Sequence, residues 1–348
     1  MGNLNNNLFK YATSELSQDA FLCYLASFAL EEYKSDDVLK ACAKDLLNLF
    51  VQDIDAKNVV LKKIERQWKN IDVLLTAICD GVTYKIIIED KVFSSEHSNQ
   101  LIRYKDEVCK AYSECKVYGV YYKTGFQCDM RAMDNAKYKI IDRKVMLNFL
   151  NQYVHATTNQ IIKDYYEYWN DFQIKSGEYK NIEIKNWSWH QRYGFFEEMK
   201  EWISKHYDKF WVGYNYVPNR SGGFDGLWFG TDDHMFLINE VKFALYLQIE
   251  MYATDQYDTY FKICLKMSSD NKIDGIRDAM NKIIYNENGS YRFNEYHFVR
   301  PKTIRSGHYM TIGVFECEPT KYEDLKNNIN HAILEYNKIL SELKMTEV

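Results

Sequence analysis

Proline is nearly absent from this chain. Its 348 residues hold three, Pro218, Pro301 and Pro319, so the first 217 carry none. Helices and strands there run without the breaks that a missing N–H imposes. Zinc-type spacings are absent too. The eight cysteines form no C-x-x-C pair and the eight histidines no H-E-x-x-H, which argues against a zinc site and suits reduced thiols. No apolar run reaches the ~20 residues of a membrane-spanning helix. The opening MGNLNNNLFK lacks a secretory core, and Asn6 leaves Met1-Gly2 short of a myristoylation site. The expectation is a soluble, cytoplasmic protein. A basic excess is missing as well: net charge is −5, unlike a protein that coats nucleic acid. That leaves room for an enzyme with a local positive patch. Asn219-Arg220-Ser221-Gly222-Gly223 lacks P-loop spacing and reads as a β-turn. There is no internal repeat and no low-complexity segment.

What is present fits a globule with a sizeable core: 46% hydrophobic and 27% charged residues, with 29 tyrosines. The chain is organised around NIDVLLTAICDGVTYKIIIEDK, residues 70–91. Asp80-Gly81 is a strong type I′ hairpin signal between two aliphatic runs, because that turn needs positive φ at both positions. Ile86-Ile87-Ile88 has the character of a strand buried on both faces. A two-residue turn at 80 and 81 pairs residues whose numbers sum to 161, as Asp72 and Glu89 do. Their side chains should meet on one face, with Lys91 beside Glu89 and Asp90 pointing away. Two carboxylates and an ammonium near a core need a reason. A hard divalent cation with oxygen ligands supplies one.

Asp72, sixteen intervening residues, and Glu89-Asp90-Lys91 after an aliphatic run resemble the PD-(D/E)XK, or restriction-endonuclease-like, nuclease superfamily. The family's proline is Ile71 here, which removes no ligand. The resemblance implies an α/β fold with an αβββαβ core, covering about residues 8–150. It implies Mg²⁺ or Mn²⁺ held by Asp72, Glu89 and the Asp90 carbonyl, with Lys91 positioning the attacking water. It also implies phosphodiester hydrolysis of nucleic acid, DNA being the expected polymer, in bacterial defence or DNA processing. TSELSQDAFLCYLASFA, residues 13–29, looks like the N-terminal signature of a bacterial branch. Glu15 within it would join the metal shell or, alternatively, only complement its helix dipole. Gln100-x-x-x-Tyr104, on one face of the helix after the E-x-K strand, resembles the extra motif of RecB-like members and would orient the site. His97 and Arg103 read as surface residues.

Elements are expected as follows. A helix capped by Thr13 or Ser14 runs to about Tyr33, with Leu16, Phe21, Leu25 and Phe28 on its apolar face. A second helix follows Ser35-Asp36-Asp37. Strands span 59–68, 116–123 and 138–141, and Ser94-Ser95 caps the helix that ends near Tyr112. Residues 1–154 are read as the nuclease-like core and 155–348 as an α+β recognition or assembly domain. In the latter, Phe243 to Met251 alternates strictly as a half-buried strand does. The final helix, from a Thr320-x-x-Glu323 capping box, carries a long apolar stripe suited to core or to a partner. Arg300, Lys302 and Arg305 form a basic segment able to meet phosphates. The rival readings are a catalytically silent nuclease-like binding or regulatory protein and a protein-assembly module. A homo-oligomer is left open.

Overall fold

The computed structural model describes residues 6–33, 36–96, 99–219, 222–231, 235–238, 241–254, 258–269, 276–292, 298–301 and 307–346. It divides into two compact units, 1–174 and 175–348. The first begins with helices α1 (Glu15–Ser27) and α2 (Asp37–Phe50). Strands β1 (Val60–Trp68), β2 (Ile71–Cys79) and β3 (Val82–Lys91) follow. Next come α3 (Gln100–Ala111), β4 (Lys116–Lys123), α4 (Arg131–Ala136), β5 (Tyr138–Asp142) and α5 (Arg143–Asn151). Helix α6 (Gln160–Gly177) runs across the division between units.

The sheet of the first unit is mixed, in the order β1-β2-β3-β4-β5. Its first three strands are antiparallel neighbours, whereas β3, β4 and β5 run parallel. The central hairpin forms as the turn chemistry dictates. Asp80 and Gly81 have φ of 48° and 78°, and Val73 pairs with Ile88 and Cys79 with Val82, the register expected from the sequence. Because β3 is central, Ile86, Ile87 and Ile88 are all buried. Ile87 belongs to a core with Leu74, Leu101, Tyr104, Val108 and Tyr121, beneath α3. Helix α1 packs against β1, β2 and β3. Its Phe21 stacks on Tyr165 of α6 at a centroid distance of 3.5 Å.

Three local expectations need correction. Helix α1 ends at Ser27, not near Tyr33, and its Leu16 is exposed. Helix α3 starts only at Gln100, after Asn99 in the left-handed region. The Ser94 hydroxyl therefore caps nothing; it donates to Glu15 Oε1 at 2.5 Å. Helix α2, by contrast, is capped by Asp36, whose Oδ1 accepts from Leu39 N.

The second unit opens with α7 (Trp189–His206), started by a Ser188–Gln191 capping box. Strands β6 (Phe210–Val217), β7 (Phe224–Thr231), β8 (Met235–Ile238), β9 (Val241–Thr254) and β10 (Asp258–Ser269) follow. Helix α8 (Ile276–Ile284), β11 (Phe298–Val299), β12 (Tyr309–Phe315) and α9 (Tyr322–Thr346) complete it. Among the described residues its sheet is antiparallel, ordered β11-β12-β10-β9-β7-β6, with β8 on β9. The alternation read in Phe243, Leu245, Leu247, Ile249 and Met251 is realised, since all five are buried. The apolar stripe of α9 is core: Leu325, Ile329, Ile333, Tyr336 and Ile339 are buried, and Tyr336 Oη donates to the Leu245 carbonyl at 2.9 Å. Helix α9 opens at Tyr322, two residues after Thr320, with Glu323 in its first turn. No helix among the described residues is long and apolar enough to cross a membrane.

Candidate active site

The β2–β3 ladder ends at Val73–Ile88, one rung short of Asp72. There the Asp72 side chain takes over the work of a backbone acceptor: its Oδ2 receives the Asp90 N–H at 2.9 Å. This holds the Asp72 carboxylate at the open end of the hairpin, on the face of Glu89. Lys91 closes the group. Its ammonium donates to Glu89 Oε1, donates to the Asp90 carbonyl at 3.0 Å, and lies 3.8 Å from Asp72 Oδ2. The convergence read from residue numbers is therefore present.

From α3, Gln100 Nε2 donates to Glu89 Oε1 and, at 3.1 Å, to the Tyr104 hydroxyl. The four-residue spacing thus puts both side chains behind Glu89. The Gln100 N–H is itself held by Glu96 Oε1 at 2.8 Å. Since Gln100 orients the buried carboxylate, Gln100→Leu is expected to lower metal affinity or turnover by about 10–100-fold, the usual cost of losing an outer support. Metal titration and steady-state rates on the purified variant check this.

Asp90 lies on the opposite face, as the strand alternation requires. Its Oδ1 receives the Gln18 amide, and Gln18 Oε1 in turn accepts from Thr124 Oγ1 at 2.7 Å and Tyr165 Oη at 3.1 Å. Glu15 Oε1 accepts from Val92 N at 3.1 Å as well as from Ser94, tying α1 to the segment that leaves β3. Close packing continues beyond β4, where a Cβ on Gly125 would lie 1.9 Å from the Val92 carbonyl oxygen.

Three residues near the site have no role in the sequence reading. Gln18 and Asp19 come from α1, one turn beyond Glu15, and both are buried. Lys123 ends β4 beside Lys91 in the parallel register, is 1% exposed, and donates to the Ser94 carbonyl at 2.6 Å. Helical spacing could have found Gln18, which lies three residues before Phe21 and seven before Leu25, but it gave no sign of Asp19. Lys123 had no local signal, because only the β3–β4 pairing brings it here.

Electrostatically the site is overloaded with acid. Burial, then the charge of Asp72, push the Glu89 carboxyl up to about 8 against the pull of Lys91. Burial and Asp72 likewise raise Asp19 to about 6, and burial with Asp19 holds Asp90 well above the carboxylate range. Burial opposes the charge on Lys91, yet Glu89 and Asp72 keep its ammonium above the ordinary lysine value. Lys123 is lowered to about 8 by burial, although Glu15 and Asp90 draw it upward. Glu89 Oε2, Asp90 Oδ2 and Asp19 Oδ1 are buried without a hydrogen-bond partner among the described residues. Of these only Glu89 Oε2 lies on the face of Asp72, and an orphaned carboxylate oxygen there is what a hard cation relieves. Two carboxylates and the Asp90 carbonyl could thus hold a divalent metal. No cluster of three or more His, Cys, Asp or Glu side chains among the described residues is arranged to do so.

Of the expected phosphate-binding residues, Arg300 is exposed just after β11, and Lys302 and Arg305 lie outside the described residues. His97 also lies outside them. Arg103 is exposed, with its guanidinium 5.4 Å from the Tyr104 ring centroid.

Residues 3–209 match the family profile of the PD-(D/E)XK nuclease superfamily. That is more than half of the chain, and the chain belongs to this superfamily. Nucleases of the superfamily generally use divalent metal ions. Searches of curated proteins and of solved structures return no match.

Proposed function

We propose that the protein is a Mg²⁺- or Mn²⁺-dependent phosphodiesterase that hydrolyses nucleic acid, with DNA the expected polymer. Its first unit would supply a restriction-endonuclease-like αβββαβ core. The observation that carries this reading is the meeting of Asp72, Glu89 and Lys91 at the open end of one hairpin, with Gln100 and Tyr104 behind Glu89. Asp72, Glu89 and the Asp90 carbonyl would hold the ion. When bound, it would polarise the scissile phosphate and lower the pKa of the attacking water.

The chain's own residues have separable tasks. Glu89 is held in orientation by Gln100, so its ligating oxygen is fixed before substrate arrives. Asp72 fixes the Asp90 peptide by taking its N–H, which aims the Asp90 carbonyl back into the site. Lys91 holds a water in line with phosphorus and stabilises charge developing on the phosphoryl oxygens. Glu15 would add negative charge from α1, where it is tied to Val92 and Ser94 at the end of β3. Arg300, Lys302 and Arg305 contact the polymer backbone, and the second unit serves recognition or assembly. The setting is cytoplasmic, in bacterial defence or DNA processing.

The direct test incubates the full chain with labelled single-stranded DNA, duplex DNA and RNA, each with Mg²⁺, Mn²⁺ or EDTA. Cleavage of at least one polymer is expected with metal and none with EDTA. Tight binding of a polymer with no cleavage under any metal would instead favour the silent, binding-protein reading.

A further inference from the structure

The three oxygens around the Lys91 ammonium are Asp72 Oδ2, Glu89 Oε1 and the Asp90 carbonyl. They belong to the same three residues that the proposed function assigns to the metal, two of them hydrogen-bonded to the ammonium and the third, Asp72 Oδ2, 3.8 Å away. The ammonium is thus seated inside the ligand set, rather than beside it where a lysine that holds a water would stand. We infer that Lys91 is an internal stand-in for the cation: it occupies the metal position in the empty site, and metal loading expels it. The inference rests on the metal-site reading above but goes beyond it, because it sets an order of events. Lys91 reaches its working position only after the ion has taken its place.

Geometry and charge both support this. An ammonium sits ~2.8–3 Å from its acceptors, whereas Mg²⁺ draws oxygens to ~2.0–2.1 Å, so one set of ligands cannot serve both cations at once. A dication placed within this group would also face the lysine's like charge at contact range. Without either cation, Glu89 would be a buried carboxylate facing the like charge of Asp72, with the Gln100 amide as a donor to Oε1 and no partner for Oε2 among the described residues. Lys91 is the cation that faces this acid in the empty site. The way out lies on the Asp72 side, whose side chain is 19% exposed while that of Glu89 is fully buried. An amine leaving by that route emerges toward the open end of the hairpin.

The consequence runs against ordinary expectation, in which removing a residue from a metal centre weakens metal binding. Calorimetric titration of the full-length protein with Mn²⁺ alone should show Lys91→Met and Lys91→Ala binding at least ten-fold tighter than wild type. Asp72→Asn should bind much more weakly. Equal or weaker Mn²⁺ binding by both Lys91 variants, with measurable binding by wild type, would overturn the inference and leave the metal site standing. Absence of Mn²⁺ binding by wild type and variants alike would remove the metal site and the inference together.

A second measurement needs no variant and covers the case in which neither Lys91 substitution folds, as judged by circular dichroism. Wild type is acetylated with and without Mn²⁺ and the modified lysines are quantified by mass spectrometry. Lys91, at 8% exposure, should become several-fold more reactive with Mn²⁺, while Lys85, bonded to Thr76 Oγ1 at 2.8 Å, should not change. Unchanged Lys91 reactivity under saturating Mn²⁺ would sink the proposal.

Discussion

Asp72→Asn should reduce metal-dependent cleavage by about a thousand-fold or more, the scale on which loss of one preorganised charged group is felt in phosphoryl chemistry. The substitution is chosen because it separates ligation from folding. Asp72 Oδ2 receives the Asp90 N–H at 2.9 Å, and an asparagine carbonyl can receive it equally well. The strand end therefore stays in place while one negative charge disappears. Removing that charge also lessens repulsion on Glu89 and Asp19, both of which it pushes upward. Melting in EDTA should accordingly stay within about 1–2 °C of wild type, or rise slightly. Cleavage rates measured under saturating Mn²⁺, with circular dichroism as the folding control, decide the matter. A variant that cuts at the wild-type rate would show that Asp72 is no ligand.

Glu89→Gln should change how stability depends on pH. The folded Glu89 carboxyl titrates at about 8, above its ordinary 4.5. Below pH 4.5 it is protonated in both folded and unfolded chains and contributes no slope. Between 4.5 and 8 the folded chain keeps a proton that the unfolded chain has released, so stability falls as pH rises. Above 8 the buried group is charged and the full cost is present. A glutamine carries none of this. In EDTA the variant should therefore match wild type near pH 4.5 and exceed it at pH 8, by up to about 4–5 kcal/mol if the whole shift is realised. Asp19, raised to about 6, adds a slope of the same sign below that pH, and both proteins share it. Lys123, lowered to about 8, acts oppositely above pH 8, since its folded form gives up a proton that the unfolded chain retains. The clean window is thus pH 5–8, read as the difference between variant and wild type in urea denaturation. Excess Mn²⁺ should restore wild type by mass action and leave Glu89→Gln largely unmoved. A difference that stays flat across the window would refute the assignment of the buried acid.

Much of this site could be read from local sequence because one turn sets its geometry. Asp80-Gly81 admits a narrow set of hairpins, and from it the opposition of Asp72 and Glu89 follows by counting. Helical spacing did the same for Gln100 and Tyr104. Such arguments fail where partners meet only through docking. Gln18 reaches Asp90 across 72 residues and Tyr165 across 147, and no periodicity announces either bond. Lys123 joins Lys91 through a parallel crossover whose register no turn dictates. Ser94-Ser95 looked like a helix cap because serine favours that role, but a tertiary acceptor, Glu15, took the hydroxyl instead. In the second unit, strict alternation found the inner face of β9. It could not find the buried Lys266–Glu250 pair on the other face, since an isolated charge in a strand ordinarily marks solvent.

The strand β3 is the seam where the antiparallel half of its sheet becomes parallel. At a seam of that kind, one edge of the sheet collects the beginning of β2, the end of β3 and the end of β4. A ribosome-bound chain that has released the hairpin has still to deliver Lys123 and Thr124. Those residues come only after α3 has crossed over the sheet, and non-local parallel pairing is a slow step. Lys123 and Thr124 therefore reach the end of β3 only after the hairpin and α3 are in place, so the packing around Lys91 and Gln18 closes from the far side of the crossover.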